Sequence, residues 1–179
     1  MNETERTAPA VAQVMDQMPY GLYIVGSADA EGEGNGMMAD WVMQVSFQPR
    51  LVAVAFEKDA HTLENIEASG GFTLNLLCSD EDGRRLGAQF AQPYYGDKVG
   101  GRSRAGHDAI HHKLAGIPHS RSAGNFPVLD AALAWRECRA EQFVPTGDHT
   151  VVIARVVDGN VLRSADPLTS LDTGWTYSG

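Results

Sequence analysis

The chain has 179 residues, 43% hydrophobic content and a formal net charge of -9. That length suits one domain with a sizeable core. The acidic balance argues against a phosphate-backbone partner, so no nucleic acid is expected. No apolar run is long enough to span a bilayer, so no membrane partner is expected either. The opening MNETERTAPA lacks a basic stretch followed by an apolar one, so it does not read as a secretory signal. Cys78 and Cys138 stand far apart and in no CxxC pattern. They read as reduced, buried thiols, which places the protein in the cytoplasm.

Residues 8–18 read as a short helix stopped by Pro19, and residues 20–27, rich in β-formers, as a strand. The acidic, glycine-rich ADAEGEGNG is a hairpin loop whose return runs through residues 37–44. Alternation over residues 51–56 sets Val52, Val54 and Phe56 on one face and Leu51, Ala53 and Ala55 on the other, which predicts a third strand. Residues 61–66 predict a helix closed by Ser69-Gly70-Gly71, and residues 72–77 another strand. Asp80-Glu81-Asp82 sits where a helix running to about Gln89 would start. Capping and dipole complementarity account for these acids, and glycosidase chemistry is not indicated. Residues 92–127 form a long excursion rich in glycine, histidine and charge. Strands resume over 131–144 and 149–157, with Asp158-Gly159-Asn160 turning the last into Val161-Leu162. No internal repeat or domain boundary is visible, so residues 1–179 are read as one domain. Short strands joined by hairpin signals, with few helices, predict a small barrel with peripheral helices.

NGMMADWVMQ, residues 35–44, mixes bulky, small and polar side chains without clean alternation. Read alone, it is first a hairpin strand with Trp41 in the core and Asp40 in solvent, since aromatics are usually buried for packing. A second signal lies at residues 58–62, where Lys58, His61 and Thr62 put a cation and a hydroxyl at a strand-to-helix junction that favours anions. No Walker loop and no GxGxxG followed by a distant acid is present, which excludes a P-loop or Rossmann nucleotide site.

Tyr20-Gly21-Leu22-Tyr23-Ile24-Val25, NGMMADWVMQVSFQPRLVAVAFEK, HTLENIEASGGFTLNLL, GDK, GDH and the terminal DTGWTYSG follow one another in a specific order. The ordered set resembles the flavin reductase-like family, and within it the flavoredoxin-like and NAD(P)H:rubredoxin-associated flavin reductases. The resemblance covers residues 18–179 and departs from the family pattern across 99–127.

It implies a mainly β fold with peripheral helices, a split β-barrel that binds FMN, and a homodimer with flavin near the subunit boundary. In that light Asn35, Met37, Ala39, Asp40, Trp41, Val42 and Gln44 face the flavin ring, supplying an apolar wall and polar groups for its pyrimidine edge. Thr62 and Lys98 hold the phosphate by family position. His61 and Lys58 stand beside them, with Lys58 equally suited to a surface role. Trp175 and Tyr177 cover the cofactor. His149 in the GDH context lies beside the flavin or reductant; hydride transfer needs no protein acid or base, so its role is positioning and electrostatics.

His107, His111, His112 and His119 include an i, i+4 pair, but no acidic or cysteine ligand completes a metal site, so no metal is expected. The activity implied is oxidation of NADH or NADPH through FMN. Electrons would pass to free flavin, a monooxygenase or a small redox protein. An electron carrier that never meets nicotinamide and a non-catalytic flavin-binding module are the rival readings.

Overall fold

The computed structural model describes residues 13–95 and 110–174. The helix expected at residues 8–18 therefore lies partly outside the described residues, which show only a helical turn at 13–15. The strands are β1 (Tyr23–Ala28), β2 (Gly34–Ala39), β3 (Val42–Ser46), β4 (Leu51–Glu57), β5 (Gly71–Leu76), β6 (His119–Arg121), β7 (Pro127–Leu129), β8 (Ala134–Pro145) and β9 (His149–Val161). The helices are α1 (His61–Ser69), α2 (Glu81–Phe90) and the single turn α3 (Ser170–Thr173).

Seven strands form one antiparallel sheet in the order β2-β1-β5-β8-β9-β4-β3, and β6 pairs with β7 separately. The two edge strands of the large sheet, β2 and β3, are joined only by Asp40 and Trp41. That link reaches about 10 Å at full extension. The edges must converge there, so the sheet rolls round on itself. The architecture is the expected rolled, mainly β one.

Alternation along the strands divides the core in two. Val25, Val54, Phe56, Phe72, Leu74 and Val152 point to one side, where Leu63 and Ile66 of α1 close over them. Ile24 points to the other side and meets Leu77, Leu86, Phe90, Leu129 and Leu168, so α2 covers this face. α1 ends as its sequence dictates: Gly70 takes a left-handed φ of 74° and donates its N–H to the Ile66 carbonyl. Asp80 caps α2 by accepting the Gly83 N–H at 2.7 Å. Buried Asn75 ties the small sheet to the large one, accepting the Leu129 N–H and donating to the carbonyls of Ile24 and Pro127.

Two local expectations change. Residues 37–44 are not one return strand, because the chain breaks at Asp40-Trp41 and passes from one edge of the sheet to the other. Asp158-Gly159-Asn160 is not a turn. The first half of β8 offers a partner there, so β9 runs straight through to Val161, with a register shift opposite Glu137 and Cys138. Cys78 and Cys138 are buried free thiols, and burial pushes the Cys138 thiol up to about 12.

Candidate functional site

A cleft runs along the outer edge of β2, where the large sheet has no further strand among the described residues. One wall is the N-terminal turn of α1, and the other is Phe90 with residues 91–95 beyond the end of α2. Position on β2 decides which side chain faces which wall. Met37 and Ala39 share the face of the α1 core cluster, whereas Met38 belongs to the α2 cluster and Gly36 backs onto the Phe90 ring. A Cβ at Gly36 would collide with that ring, so glycine is required for the wall to close.

The far end of the cleft is built at the barrel's closing link. Val42 donates its N–H to the Asp40 carbonyl at 2.8 Å, a three-residue turn centred on Trp41, and Ala55 of β4 donates to the Trp41 carbonyl at 3.1 Å. This backbone fixes the Trp41 ring against His149, with centroids 4.8 Å apart and planes tilted by 36°. His149 is only 7% exposed and stands opposite Glu57 in the β4–β9 ladder. Its Nδ1 lies 2.7 Å from Asp148 Oδ1. An ionised carboxylate can only accept, so Nδ1 carries the proton of this bond. The hydrogen bond from His149 holds the Asp148 carboxyl below the ordinary aspartate range. Burial has the opposite effect on Asp40, raising its carboxyl, with its own and the Trp41 backbone N–H and then His149 opposing.

The near end is polar. The N-cap of α1 is Ala60, which makes no side-chain cap hydrogen bond, so the first N–H groups of the helix are not covered by a side chain of the cap. Thr62 is buried in that turn. Asn65, one turn on, donates to Ser27 at 3.2 Å, and Ser27 pairs in register with Asn35. Thr62, Asn65, Asn35 and Ser27 are all buried, and Thr62 and Asn35 both line this end of the cleft. His61 stacks flat on Tyr94 at 3.7 Å, Tyr94 meets His111 edge-on at 4.5 Å, and Tyr95 donates to Glu64 at 2.7 Å. That hydrogen bond, with burial next, pushes the Tyr95 hydroxyl up to about 12.

Of the residues expected from the sequence, Asn35, Met37, Ala39, Asp40, Trp41, His61, Thr62 and His149 come together in this cleft. Val42 packs against the α1-side core, Gln44 is exposed and donates to the Ser46 carbonyl, and Lys58 donates to the Gly147 carbonyl at 2.6 Å; none of the three lines the cleft. Lys98, Trp175 and Tyr177 lie outside the described residues, as does His107. His119 instead bonds the Ile117 carbonyl at 2.7 Å. Phe90, Tyr94, Tyr95 and Lys113 line the cleft without having been singled out for it. Only the Tyr94-Tyr95 pair carried a signal, as two adjacent aromatics in a glycine-rich stretch.

The donor set fits a flavin nucleotide. Apolar and aromatic side chains offer walls for a flat ring, the unpaired edge of β2 offers backbone groups to a ring's polar rim, and the uncapped helix start suits an anion. Sequence comparison agrees, since the flavin reductase like domain matches residues 15–176. The chain belongs to the flavin reductase-like family. It is 31% identical over 158 residues to a high molecular weight rubredoxin of Moorella thermoacetica, covering 88% of this chain and 62% of that one. It is also 31% identical over 147 residues to a flavin reductase (NADH) of Kitasatospora aureofaciens, covering 82% and 68%. The solved nitrilotriacetate monooxygenase component B homologue of Mycobacterium thermoresistibile superposes with a TM-score of 0.74 at 27% identity, over 95% of this chain and 82% of that one. The chain thus spans less than two thirds of the rubredoxin's length, and only 24% to 38% of three further relatives.

Proposed function

We propose that this chain is an FMN-dependent NAD(P)H oxidoreductase of the flavin reductase type. The observation that carries the reading is the cleft itself, which joins an anion-favouring helix start to an aromatic end along one unpaired strand edge. When bound there, flavin would supply the redox chemistry, taking reducing equivalents from NADH or NADPH and passing electrons to free flavin, a monooxygenase or a small redox protein. The chain's own residues bind and orient. The α1 N-terminus and Thr62 hold the phosphate, Met37, Ala39 and Trp41 fix the ring, and the β2 edge meets its polar rim. His149, with its tautomer set by Asp148, places a polar atom beside the ring, where negative charge develops on reduction. FMN is preferred to FAD because the helix start suits a terminal phosphate.

The same reading makes the protein a cytoplasmic homodimer. Support for pairing comes from β3, an edge strand with exposed Met43 and Val45 and with Phe47 88% exposed in the turn that follows. Water does not favour such an edge, and a second copy would cover it. Light scattering at micromolar concentration checks this; a monomer that still binds flavin would contradict it.

The name of the rubredoxin relative supports a second reading, an electron carrier that never oxidises nicotinamide. Steady-state oxidation of NADH and NADPH with added FMN separates the two. The reductase turns over with at least one nicotinamide. A carrier does not, yet once reduced chemically it passes electrons to a rubredoxin.

A further inference from the structure

The two walls of the cleft are fastened to each other at the α1 end. His61, the first residue of α1, lies flat on Tyr94 of the opposite wall, with ring centroids 3.7 Å apart and planes 16° from parallel. Glu64, one turn further along α1, accepts the Tyr95 hydroxyl at its Oε2, 2.7 Å away. The same oxygen lies 3.3 Å from His61 Nδ1, so one carboxylate ties both halves of the contact together. Tyr95 stands edge-on to both Tyr94 and His61, and His111 meets Tyr94 edge-on as well.

We infer that His61, Glu64, Tyr94 and Tyr95 form a latch across the α1 end of the cleft that governs entry and release of the flavin nucleotide. The inference rests on the flavin reading above and adds a residence time to it. The flavin exchanges slowly and stays with the chain as a resident group. Position supports this. His61, Tyr94 and Tyr95 all line the cleft, and Glu64 joins them from an exposed position on α1. The latch therefore bridges the walls next to Thr62, at the end assigned to the phosphate.

Each wall is held in the fold by its own anchors. Leu63 and Ile66 bury α1 in one core cluster, whereas Leu86 and Phe90 bury α2 in the other. The latch joins the two at the rim, where Tyr95 is 37% exposed and the Glu64 side chain 55% exposed. Parting it returns these groups to water and leaves both clusters intact, so opening is a local event. A stacked ring pair and a solvent-side hydrogen bond to a carboxylate are each worth a small multiple of thermal energy. That keeps the latch closed most of the time without sealing it. The Trp41–His149 end is different, because backbone hydrogen bonds of the closing link hold it. The bond to Glu64, with burial next, pushes the Tyr95 hydroxyl up to about 12, so it remains a donor throughout the neutral range. The latch residues grip one another across the walls, so loosening them changes the rates in both directions and not the affinity.

The test is kinetic. Stopped-flow fluorescence follows FMN entry, and rapid dilution of the loaded protein follows release. Both are measured on wild type, Tyr94→Leu, Tyr95→Phe, Glu64→Ala and the Tyr95→Phe/Glu64→Ala pair, with circular dichroism to confirm folding. Tyr94→Leu and Tyr95→Phe should each speed entry and release together by about 3- to 10-fold, with Kd staying within about threefold of wild type. The pair should release FMN within about twofold of Glu64→Ala alone, because both changes remove one hydrogen bond. Tyr95→Phe deletes a single oxygen and keeps the ring, so it reads the latch even where Tyr94→Leu does not fold. Faster release with unchanged entry would overturn the inference and make these residues direct contacts of the flavin. Wild-type rates in folded Tyr95→Phe would also overturn it, leaving the flavin reading intact. Wild type that binds no FMN would sink the flavin reading, and this inference with it.

Discussion

The two ends of the cleft are built from opposite materials. At the Trp41–His149 end the backbone is pinned by short-range turns at the point where the barrel closes, and the side chains are aromatic or acidic. At the α1 end, beside the His61–Tyr94 stack, small polar Thr62 and Asn35 are buried, and the field comes from a helix start. The first end is a rigid surface that a flat ring can lie on. The second is a charge trap. A ligand satisfied by both must be flat at one end and anionic at the other, and substitutions at the two ends should fail in different ways.

Phe90→Ala should have the largest effect, because the fully buried ring packs with Leu86, Leu129 and Leu168 while also forming a cleft wall. A loss of about 3–5 kcal/mol in chemical denaturation is expected for truncating a core phenylalanine. Flavin affinity at both ends should fall together; a loss confined to FMN would show that Phe90 belongs to the anion end.

His149→Ala should fold and hold FMN, while the stopped-flow rate of flavin reduction by NAD(P)H falls by roughly a hundredfold, as for other donors aimed at developing charge. Loss of stability with a wild-type rate would return His149 to a structural role in its strand. Thr62→Ala should weaken FMN by about 1.5–3 kcal/mol, the value of a hydrogen bond to a charged group, and leave riboflavin untouched. Trp41→Ala should do the reverse in kind, weakening FMN and riboflavin alike by about tenfold, or ~1.4 kcal/mol, and shifting the flavin spectrum more than Thr62→Ala does. If Trp41→Ala discriminated between the two flavins, the ends would not be separate sites.

Asp40 gives the smallest and most specific effect. Its carboxyl is raised by burial. A group with a raised folded pKa contributes stability that is fully present below its unfolded pKa and is lost as pH rises through its folded pKa. Asp40→Asn removes that dependence. The variant should gain on wild type in melting temperature from below the ordinary aspartate pKa up through the raised one, and hold the gain above it. A constant difference across that range would mean that Asp40 does not titrate in the folded protein over this window.

What the sequence revealed follows the reach of local forces. The alternation of Val52, Val54 and Phe56, the Gly70 stop of α1 and the Asp80 cap are properties of a few neighbouring residues, and all three are found in the structure. Family resemblance assigned residues 35–44 to the flavin ring, and of those named Asn35, Met37, Ala39, Asp40 and Trp41 line the cleft while Val42 and Gln44 do not. Residues 37–44 were misread as one strand, because the break at Asp40-Trp41 exists only when the rolled sheet brings its edges together. The Asp158-Gly159-Asn160 error has the same origin, since a turn-forming triplet stays extended when β8 lies alongside it. Lys113 was invisible for a related reason. It reaches the cleft through contact with the Gly36 carbonyl, 77 residues away in sequence, and no local pattern encodes that contact.

The most direct test of a flavin lying along the β2 edge is to titrate the purified protein with FMN and record the flavin absorbance and the tryptophan fluorescence together. The account predicts saturable perturbation of the flavin bands with matching quenching of tryptophan fluorescence, the quenching reduced in Trp41→Phe while FMN still binds. A flavin spectrum unchanged at every FMN concentration would contradict it.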